Sequence, residues 1–210
     1  MKNGLYAIID PSHLSGAVSV EEMTRAVLRG GASIIQLRDT VSTSRQIFER
    51  ARRLQVICRE FDIPFIVNNR LDIALAAGAD GVHLGPDDLP VEAARRIAGD
   101  EFIIGGSAGT PEVARDLEKA GATYLGVGAI YDARHSKPDA SAPRGPKAIE
   151  AVARQVNLPI FGIGGIHREN AAEVMAHGAN GVAVIRALMQ VDDPEEAARQ
   201  LCSVLDTGGG

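Results

Sequence analysis

Polar side chains follow several short apolar stretches of the sequence, at positions from which they could act on a bound ligand. Arg38 ends the stretch IIQLR, Asn69 follows FIVN, and Asp88 follows VHLG. The amide and the acid offer oxygen ligands that suit Mg²⁺, which usually takes one or two carboxylates together with phosphate oxygens of a substrate. We therefore consider Asn69 and Asp88 a candidate magnesium site. Capping of a helix from Leu89 onward is the alternative role of Asp88.

Two further segments indicate a separate anion site. Residues 162–167 read GIGGIH, and residues 184–188 read VIRAL. Glycines let backbone amides approach an anion, and the N-terminus of a helix directs unpaired N–H groups at it. We interpret the two segments as a phosphate cup, in which Arg186 either adds a charge or remains solvated. The alternative is that Gly164 and Gly165 only permit a tight turn.

Residues 127–146, VGAIYDARHSKPDASAPRGP, form a long polar segment that carries Arg134, Lys137 and Arg144. The chain as a whole has a formal net charge of -5. A general nucleic-acid binder would usually be basic, so the composition argues against nucleic acid as a partner. A basic segment on an acidic chain favours a small phosphorylated molecule instead.

Gln36 and Arg38 belong to one apolar stretch and are two positions apart. Side chains alternate along a strand, so both residues are expected to point to the same side. Arg38 is then a candidate for binding phosphate. A salt bridge with Asp39 or Asp72 is the alternative.

Several common types of catalytic site are disfavoured by the sequence. The sequence has no P-loop, no zinc motif and no Rossmann fingerprint. Ser107 ends an apolar stretch without a GxSxG context, which argues against a serine hydrolase. His83 lies inside another stretch, where a hydrogen-bonded core histidine is more common than a catalytic base. The remaining pattern is that of a site for phosphates and pyrophosphates.

A repeat along the chain predicts the elements that position these residues. Gly31, Gly78, Gly121 and Gly178 each follow a helix-like stretch and precede an apolar strand. A glycine at such a place can adopt the left-handed conformation that ends a helix. Other apolar stretches lie between these units and give eight alternating strands and helices. This order favours a single (β/α)8 barrel over an open doubly wound sheet. The chemistry of such a barrel lies at the carboxyl ends of its strands.

Length and composition set the remaining limits. The chain has 210 residues, of which 45% are hydrophobic, so we expect one barrel domain over residues 1–206 and a disordered tail over 207–210. Cys58 and Cys202 lie in no metal-binding motif, which is typical of reduced thiols in a cytoplasmic protein. The first residues are too weakly apolar for a signal peptide. The sequence contains no run of 18 apolar residues, so it predicts no membrane span.

The motifs taken together resemble those of the thiamine phosphate synthase family. That family has QLR with a lysine two residues on, VNDR, HLGQxD, GxSxHT, a VGPIF…TK loop, IGGI and VAVxSA. Here the corresponding segments read QLRDT, VNNR, HLGPDD, GGSAGT, VGAIYDARHSKPDA, IGGI and VAVIRA. The resemblance covers almost the whole chain, and its motifs occur in the same order.

The resemblance implies a transferase with two small-molecule substrates. Hydroxymethylpyrimidine diphosphate would lose pyrophosphate, and the nitrogen of a thiazole phosphate would take its place to give thiamine phosphate. Positive charge would develop on the pyrimidine methylene as the leaving group departs, in a dissociative displacement. The implied cofactor is Mg²⁺. The oligomeric state, including a homo-oligomer, stays open.

The resemblance also implies roles for individual residues. Asn69 and Asp88 correspond to the metal ligands of the family, and Arg38, Ser107 and Lys137 to its catalytic residues, with Ser107 on the leaving group and Lys137 on a closing lid. The residues implied for the pyrimidine diphosphate are Gln36, Arg38, Asn68, Ser107 and Lys137. The residues implied for the thiazole phosphate are Arg134, His135, Ser136, Gly165, Ile185 and Arg186.

Four positions depart from the family pattern. Asn69 stands where the family has an aspartate, Thr40 where it has the lysine after QLR, Gly109 where it has a histidine, and Arg186 where it has a serine. The lid is also one residue longer than the usual spacing. We hypothesise that Arg134 or Arg186 restores the positive charge that is missing at position 40.

Two alternatives to a synthase follow from the same resemblance. Thiazole tautomerases share the barrel but have a histidine just after the glycine of the sixth strand motif, where this chain has Ala129. A non-catalytic, ligand-binding relative of the same fold is the second alternative, because the metal pair is weakened and the lysine is missing.

Overall fold

A computed structural model of the chain describes residues 3–14, 18–134 and 142–207. Within these residues, eight parallel strands close into a barrel in sequence order, and β1 pairs with β8 to complete the ring. The predicted (β/α)8 barrel is thus confirmed. The strands are β1 Gly4–Ile9, β2 Ile34–Leu37, β3 Phe65–Asn68, β4 Gly81–Leu84, β5 Ile103–Ala108, β6 Tyr124–Val127, β7 Ile160–Ile163 and β8 Gly181–Val184.

A helix follows each strand and covers the outside of the barrel. Capping boxes start two of the helices, with Ser19 and Glu22 at the first and Thr43 and Gln46 at the second. A 3₁₀ helix over Pro11–His13 follows β1. The α-helices are α1 Val20–Arg29, α2 Ser44–Glu60, α3 Leu71–Ala77, α4 Val91–Ala98, α5 Pro111–Lys119, α6 Lys147–Ala153, α7 Arg168–Ala176, α8 Arg186–Met189 and α9 Pro194–Thr207.

Alternation along the strands divides the core into two regions. In β1, Leu5, Ala7 and Ile9 pack outward against the helices, whereas Tyr6 and Ile8 point into the barrel. The inner region is small and rich in aromatic rings. It contains Tyr6, Ile8, Ile34, Ile66, Tyr124, Phe161 and Ala183. The barrel is therefore filled with side chains below the level at which the strands end.

The glycines of the sequence repeat have the backbone conformation that the repeat predicts. The φ angles are +102° at Gly31, +68° at Gly78, +94° at Gly121 and +94° at Gly178. Each glycine turns the chain from a helix into the next strand. The predicted tail differs by one residue, because Thr207 is the last residue of α9; residues 208–210 lie outside the described residues.

Of the helices in the described residues, none has both the length and the apolar composition that crossing a membrane requires.

Candidate active site

A cavity of about 1230 Å³ opens at the carboxyl ends of the strands. Every strand contributes to its lining, because parallel strands of a barrel all end at the same rim. Among the residues that line it are Gln36, Arg38, Asn68, Asn69, Asp88, Ser107, Gly165, Ile185 and Arg186. These nine residues were predicted as site residues from the sequence, and the fold brings them together. The volume exceeds the roughly 300–1,000 Å³ usual for one small ligand, so two substrates can lie side by side.

Arg38 is held at the rim by a buried acid. Its guanidinium forms an ion pair with Asp10, whose side chain is only 1% exposed. Asp10 also accepts hydrogen bonds from the amide and the hydroxyl of Ser12, at 3.0 Å and 2.6 Å. As predicted from the alternation of the strand, Gln36 lines the same cavity as Arg38.

The alternative partners considered for Arg38 are wrong. Asp39 pairs with Arg50, and Asp72 pairs with Arg70. Each of these acids thus has its own arginine nearby in the chain. The actual partner, Asp10, lies at the end of β1, the neighbour of β2 in the barrel, which is a contact that sequence distance does not reveal.

Asp88 closes a turn after β4. Its carboxylate accepts a hydrogen bond from the amide of Gly85 at 2.6 Å, and its own amide donates to the carbonyl of Gly85 at 3.3 Å. The helix that follows begins at Val91 and has no side-chain cap. Capping of a helix from Leu89 is therefore wrong as an account of Asp88.

Asn69 stands at the end of β3 in a left-handed conformation, with a φ of 64°. Its amide donates to the carbonyl of His83 at 2.8 Å, which ties the ends of β3 and β4 together. Asparagine tolerates this conformation better than most residues because its short polar side chain can bond locally. The result is an exposed amide side chain on the same cavity as Asp88.

The donor set of Asn69 and Asp88 fits Mg²⁺. The turn occupies one carboxylate oxygen of Asp88, and the carboxylate has a second oxygen. In the part of the chain that the structure describes, no three His, Cys, Asp or Glu side chains gather into a group that could hold a metal ion by themselves. A site with so few protein ligands suits Mg²⁺, which keeps several waters and binds substrate phosphates.

Ser107 is linked to the opposite side of the barrel through buried side chains. Its hydroxyl lies 3.0 Å from Nε2 of His83, and Nδ1 of His83 lies 3.0 Å from the hydroxyl of Tyr124. The Tyr124 and Tyr6 hydroxyls are 2.7 Å apart, and Nε2 of Gln36 donates to Tyr6 at 2.6 Å. We call this series from Gln36 to Ser107 the transbarrel chain.

Burial raises the pKa of both phenols in the transbarrel chain above the ordinary value of tyrosine. Tyr6 and Tyr124 thus stay protonated at neutral pH. His83 is a hydrogen-bonded histidine, as predicted, but it also contacts a predicted site residue. No sequence pattern indicates this link, because the residues of the transbarrel chain come from separate strands.

The loops after β6 and β7 pack closely on each other. The amide of Ile130 donates to the carbonyl of Ile163 at 2.9 Å, and the amide of Tyr131 donates to that of Gly164 at 3.0 Å. A Cβ on Gly165 would lie 2.6 Å from the carbonyl oxygen of Asp132. The glycine thus serves the turn, as in the alternative above, and it also lines the cavity.

The end of β8 leads into α8, the short helix that the sequence predicted. Ile185 and Arg186 line the cavity at its start. The first amides of any helix lack partners within the helix, so they are available to an anion. The guanidinium of Arg186 donates to the side chain of Gln190 at 2.6 Å. Arg186 is exposed and faces no acid in that contact.

Arg134 differs from the other predicted residues. It is exposed and forms a two-point ion pair with Asp132, at 2.9 Å and 2.5 Å, and it is not among the described residues that line the cavity. The hydrogen bond to Asp132 raises the pKa of Arg134. His135, Ser136 and Lys137 lie outside the described residues.

Arg144 is a cavity residue that sequence reasoning did not assign. Its backbone amide donates to the carbonyl of Ala129 at 2.9 Å, and a Cβ on Gly109 would lie only 2.9 Å from its Nη2. The guanidinium thus covers the backbone of Gly109. No ion pair within the described residues involves Arg144. The missing side chain at position 109 was the signal, since it leaves room for another group.

Comparisons with known proteins agree with this geometry. The family model described as "Thiamine monophosphate synthase" matches residues 5–188. A thiamine-phosphate synthase of Natronomonas pharaonis is 46% identical over 97% of this chain and 95% of its own length. One of Moorella thermoacetica is 46% identical over 98% of this chain and 97% of its own.

A solved structure has the same fold over nearly the whole chain. It is a thiamine phosphate pyrophosphorylase of Pyrococcus furiosus, with a TM-score of 0.89 and 37% identity. The alignment covers 99% of this chain and 97% of that one. With a family model that matches most of the chain and relatives of similar length at this identity, the protein belongs to the thiamine monophosphate synthase family.

Proposed function

We propose that the protein is a thiamine phosphate synthase. It joins hydroxymethylpyrimidine diphosphate to a thiazole phosphate, with release of pyrophosphate. One observation carries the proposal: Arg38, Ser107 and Asp88 share a single cavity with the glycine loop after β7 and the start of α8. A diphosphate site and a separate phosphate site face each other across that cavity, as a two-substrate transfer requires.

The pyrimidine diphosphate occupies the half of the cavity formed by β2 to β5. Gln36 and Asn68 bind the pyrimidine end, and Arg38 and Ser107 bind the diphosphate. Arg38 suits this role because the ion pair with Asp10 fixes its guanidinium before substrate arrives. Lys137, on the segment after β6, adds a second cation to the diphosphate.

Asn69 and Asp88 would hold Mg²⁺ beside the diphosphate. When bound, the metal supplies positive charge that stabilises the departing pyrophosphate. Asp88 provides the charged ligand, and its turn with Gly85 keeps the carboxylate in place. Asn69 provides a neutral oxygen, so the metal is held more weakly by the protein than it would be by two acids.

The thiazole phosphate occupies the other half of the cavity. Gly165, Ile185 and Arg186 hold its phosphate at the ends of β7 and β8, through backbone amides and the exposed guanidinium. Arg134, His135 and Ser136 are assigned to the thiazole side by the family pattern. The side chain of Arg134 is engaged by Asp132, so its contribution requires that pair to open.

The protein contributes position and electrostatics to the reaction. The bond from the pyrimidine methylene to the diphosphate oxygen breaks, and the thiazole nitrogen forms the new bond at the same carbon. The electron pair leaves with the pyrophosphate, where Arg38, Ser107 and Lys137 stabilise it. Holding both substrates in line removes the entropic cost of their encounter.

Arg144 takes over the charge that Thr40 does not provide. It lies over Gly109, two residues beyond Ser107, and no acid within the described residues neutralises it. Arg134 and Arg186 serve less well as substitutes, because one is paired with Asp132 and the other is at the opposite half of the cavity. We further propose that the enzyme is cytoplasmic, in line with its two unpaired cysteines.

The test is an assay of the purified protein with both substrates, with and without Mg²⁺. We expect equal amounts of thiamine phosphate and pyrophosphate, formed only with the metal. Isomerisation of the thiazole without coupling would identify a tautomerase instead. Binding of both substrates at high Mg²⁺ without turnover would identify a non-catalytic relative.

A further inference from the structure

The hydrogen bonds of the transbarrel chain all run in one direction, from donor to acceptor, from Gln36 to Ser107. Nε2 of Gln36 has no lone pair to offer, so it can only donate, and the oxygen of Tyr6 must accept. The proton of Tyr6 is then directed at the oxygen of Tyr124, 2.7 Å away. The proton of Tyr124 is in turn directed at Nδ1 of His83, 3.0 Å away.

The same assignment of donors and acceptors fixes the tautomer of His83 and the direction of the Ser107 proton. A neutral imidazole has one donor and one acceptor nitrogen. Because Nδ1 accepts from Tyr124, Nε2 carries the proton and donates to the oxygen of Ser107 at 3.0 Å. The proton of Ser107 is therefore free to point into the cavity.

The opposite direction would give the serine the opposite role. Ser107 would donate to His83, and the series would end on the amide oxygen of Gln36. The hydroxyl would then present only lone pairs to a ligand, and lone pairs repel an anion. The direction of buried protons several residues away thus decides whether Ser107 attracts or repels a diphosphate.

Two glycines make the room that this arrangement needs. A Cβ on Gly105 would lie 2.1 Å from Cζ of Tyr124 and 2.5 Å from Nδ1 of His83, and one on Gly126 would lie 3.1 Å from Cε1 of His83. The rings of Tyr124 and His83 fill a slot in the barrel wall that only glycines leave open. The slot holds the two rings at hydrogen-bond distance.

We infer that His83 is a positioning residue, held by Tyr124 in the tautomer with the proton on Nε2, which makes Ser107 a hydrogen-bond donor to the departing pyrophosphate. The inference rests on the proposed function, since it concerns the same diphosphate. It assigns roles to His83, Tyr124 and Tyr6 that act through the hydroxyl of Ser107.

Two hydroxyl deletions separate this role from packing. Tyr124→Phe removes the donor to Nδ1, so His83 adopts either tautomer and Ser107 can turn its proton inward. Tyr6→Phe removes the hydroxyl that directs the Tyr124 proton but keeps the donor to Nδ1 of His83, so it should shift the tautomer less than Tyr124→Phe. Both tyrosines are buried and both changes keep the ring. A role in packing alone would make the two variants alike.

The measurements are the nitrogen-15 spectrum of His83 and steady-state kinetics with Mg²⁺. We expect the wild type to show Nε2 protonated and Nδ1 unprotonated, Tyr124→Phe to show a mixture, and Tyr6→Phe to keep more of the Nε2-protonated form than Tyr124→Phe. We expect kcat of Tyr124→Phe to fall about ten- to a hundredfold, with KM for the thiazole phosphate unchanged. Tyr6→Phe keeps the donor to His83 but loses the hydroxyl that directs the Tyr124 proton, so its kcat should fall clearly less than that of Tyr124→Phe.

Several results would overturn the inference and leave the proposed function intact. One is a wild-type His83 with its proton on Nδ1, which requires no variant to fold. Another is full activity of Tyr124→Phe in a protein whose wild type makes thiamine phosphate. If the wild type makes none, the proposed function fails. Calorimetry with magnesium pyrophosphate then tests the inference, which predicts weaker binding to Tyr124→Phe than to Tyr6→Phe and fails if the two bind equally.

Discussion

Asp10 and Arg38 form an ion pair between the ends of β1 and β2, with the carboxylate almost completely buried and the guanidinium on the cavity. The acid restricts where the arginine can place its charge. Because Ser12 supplies two further hydrogen bonds to the same carboxylate, the orientation is set by the 3₁₀ helix after β1. The diphosphate site thus depends on a residue that touches no substrate.

Replacing the acid tests this dependence. We expect Asp10→Asn to lower kcat/KM for the pyrimidine diphosphate by about ten- to a hundredfold, because Arg38 loses its fixed direction. The free energy of unfolding should fall by about 1.5–3 kcal/mol, the usual cost of losing a charged hydrogen bond. Kinetics and urea unfolding measure the two effects. Ser12→Ala is the control, with a smaller effect on both. Unchanged kinetics of Asp10→Asn would show that Arg38 is not held through Asp10.

The proposed metal pair predicts opposite effects of two exchanges. Asn69→Asp adds a second carboxylate, so half-maximal activity should require about tenfold less Mg²⁺. Asp88→Asn removes the only charged ligand of the pair and should require at least about tenfold more. The amide oxygen introduced by Asp88→Asn would still accept from the backbone amide of Gly85. Calorimetric titration of Mg²⁺ in the presence of pyrophosphate gives the same comparison without turnover. Equal Mg²⁺ requirements in both variants would contradict the assignment.

Arg144 should matter for one substrate only. We expect Arg144→Ala to raise KM for the pyrimidine diphosphate about tenfold, the effect of losing one charge-assisted contact, and to leave KM for the thiazole phosphate unchanged. Arg154→Ala is the matched control, since Arg154 is an exposed arginine that pairs with Glu150 and is not among the cavity residues. An equal response of the two variants would show that Arg144 acts only through net charge.

Replacement of Gly165 by alanine should be unfavourable for two reasons that can be separated by experiment. Its φ of +62° disfavours a side chain, and a Cβ would collide with the loop after β6. Gly165→Ala should lower the free energy of unfolding by about 1–3 kcal/mol and raise KM for the thiazole phosphate. Gly178→Ala is the control for backbone strain, because its φ is also positive but the nearest atom to a Cβ there is 3.6 Å away. A raised KM in both variants would argue against a specific effect at the cup.

Neither cysteine should react readily in the folded protein. Burial raises the pKa of Cys58 to about 12 and that of Cys202 to about 11. A raised pKa leaves less thiolate at mildly alkaline pH, and the thiolate is the reactive form. We expect alkylation by iodoacetamide, followed by mass spectrometry, to be slow for both in buffer and complete after unfolding. Rapid modification of folded Cys202 would show that its thiol is more open than its surroundings indicate.

The fold and the positions of nine residues that line the cavity were predictable because they depend on local patterns. The glycines at helix ends and the apolar strands predict the barrel, and the barrel places every strand end at one rim. Gln36 and Arg38 were correctly placed on one side by alternation alone. Ser107 followed from its position near the end of β5, and Asp88 from its position after β4.

What the sequence did not reveal are contacts between strands. The partner of Arg38 was misidentified because its contact with Asp10 depends on the register between β1 and β2, which no local pattern encodes. The link from His83 to Ser107 requires β4 and β5 to pair with His83 opposite Gly105. Arg144 was missed because its location depends on the path of a long loop, which has no periodic pattern.

Closure of the ring between β1 and β8 pairs Gly4 with Gly181, residues from nearly opposite ends of the chain. A large share of contacts of such long range slows the folding of a protein. Both strands of this seam line the pocket for the two substrates, so the pocket is complete only when the ring is closed. Substrates and pyrophosphate therefore bind the finished barrel and not its precursors, so their presence should raise the melting temperature and protect the seam from hydrogen exchange.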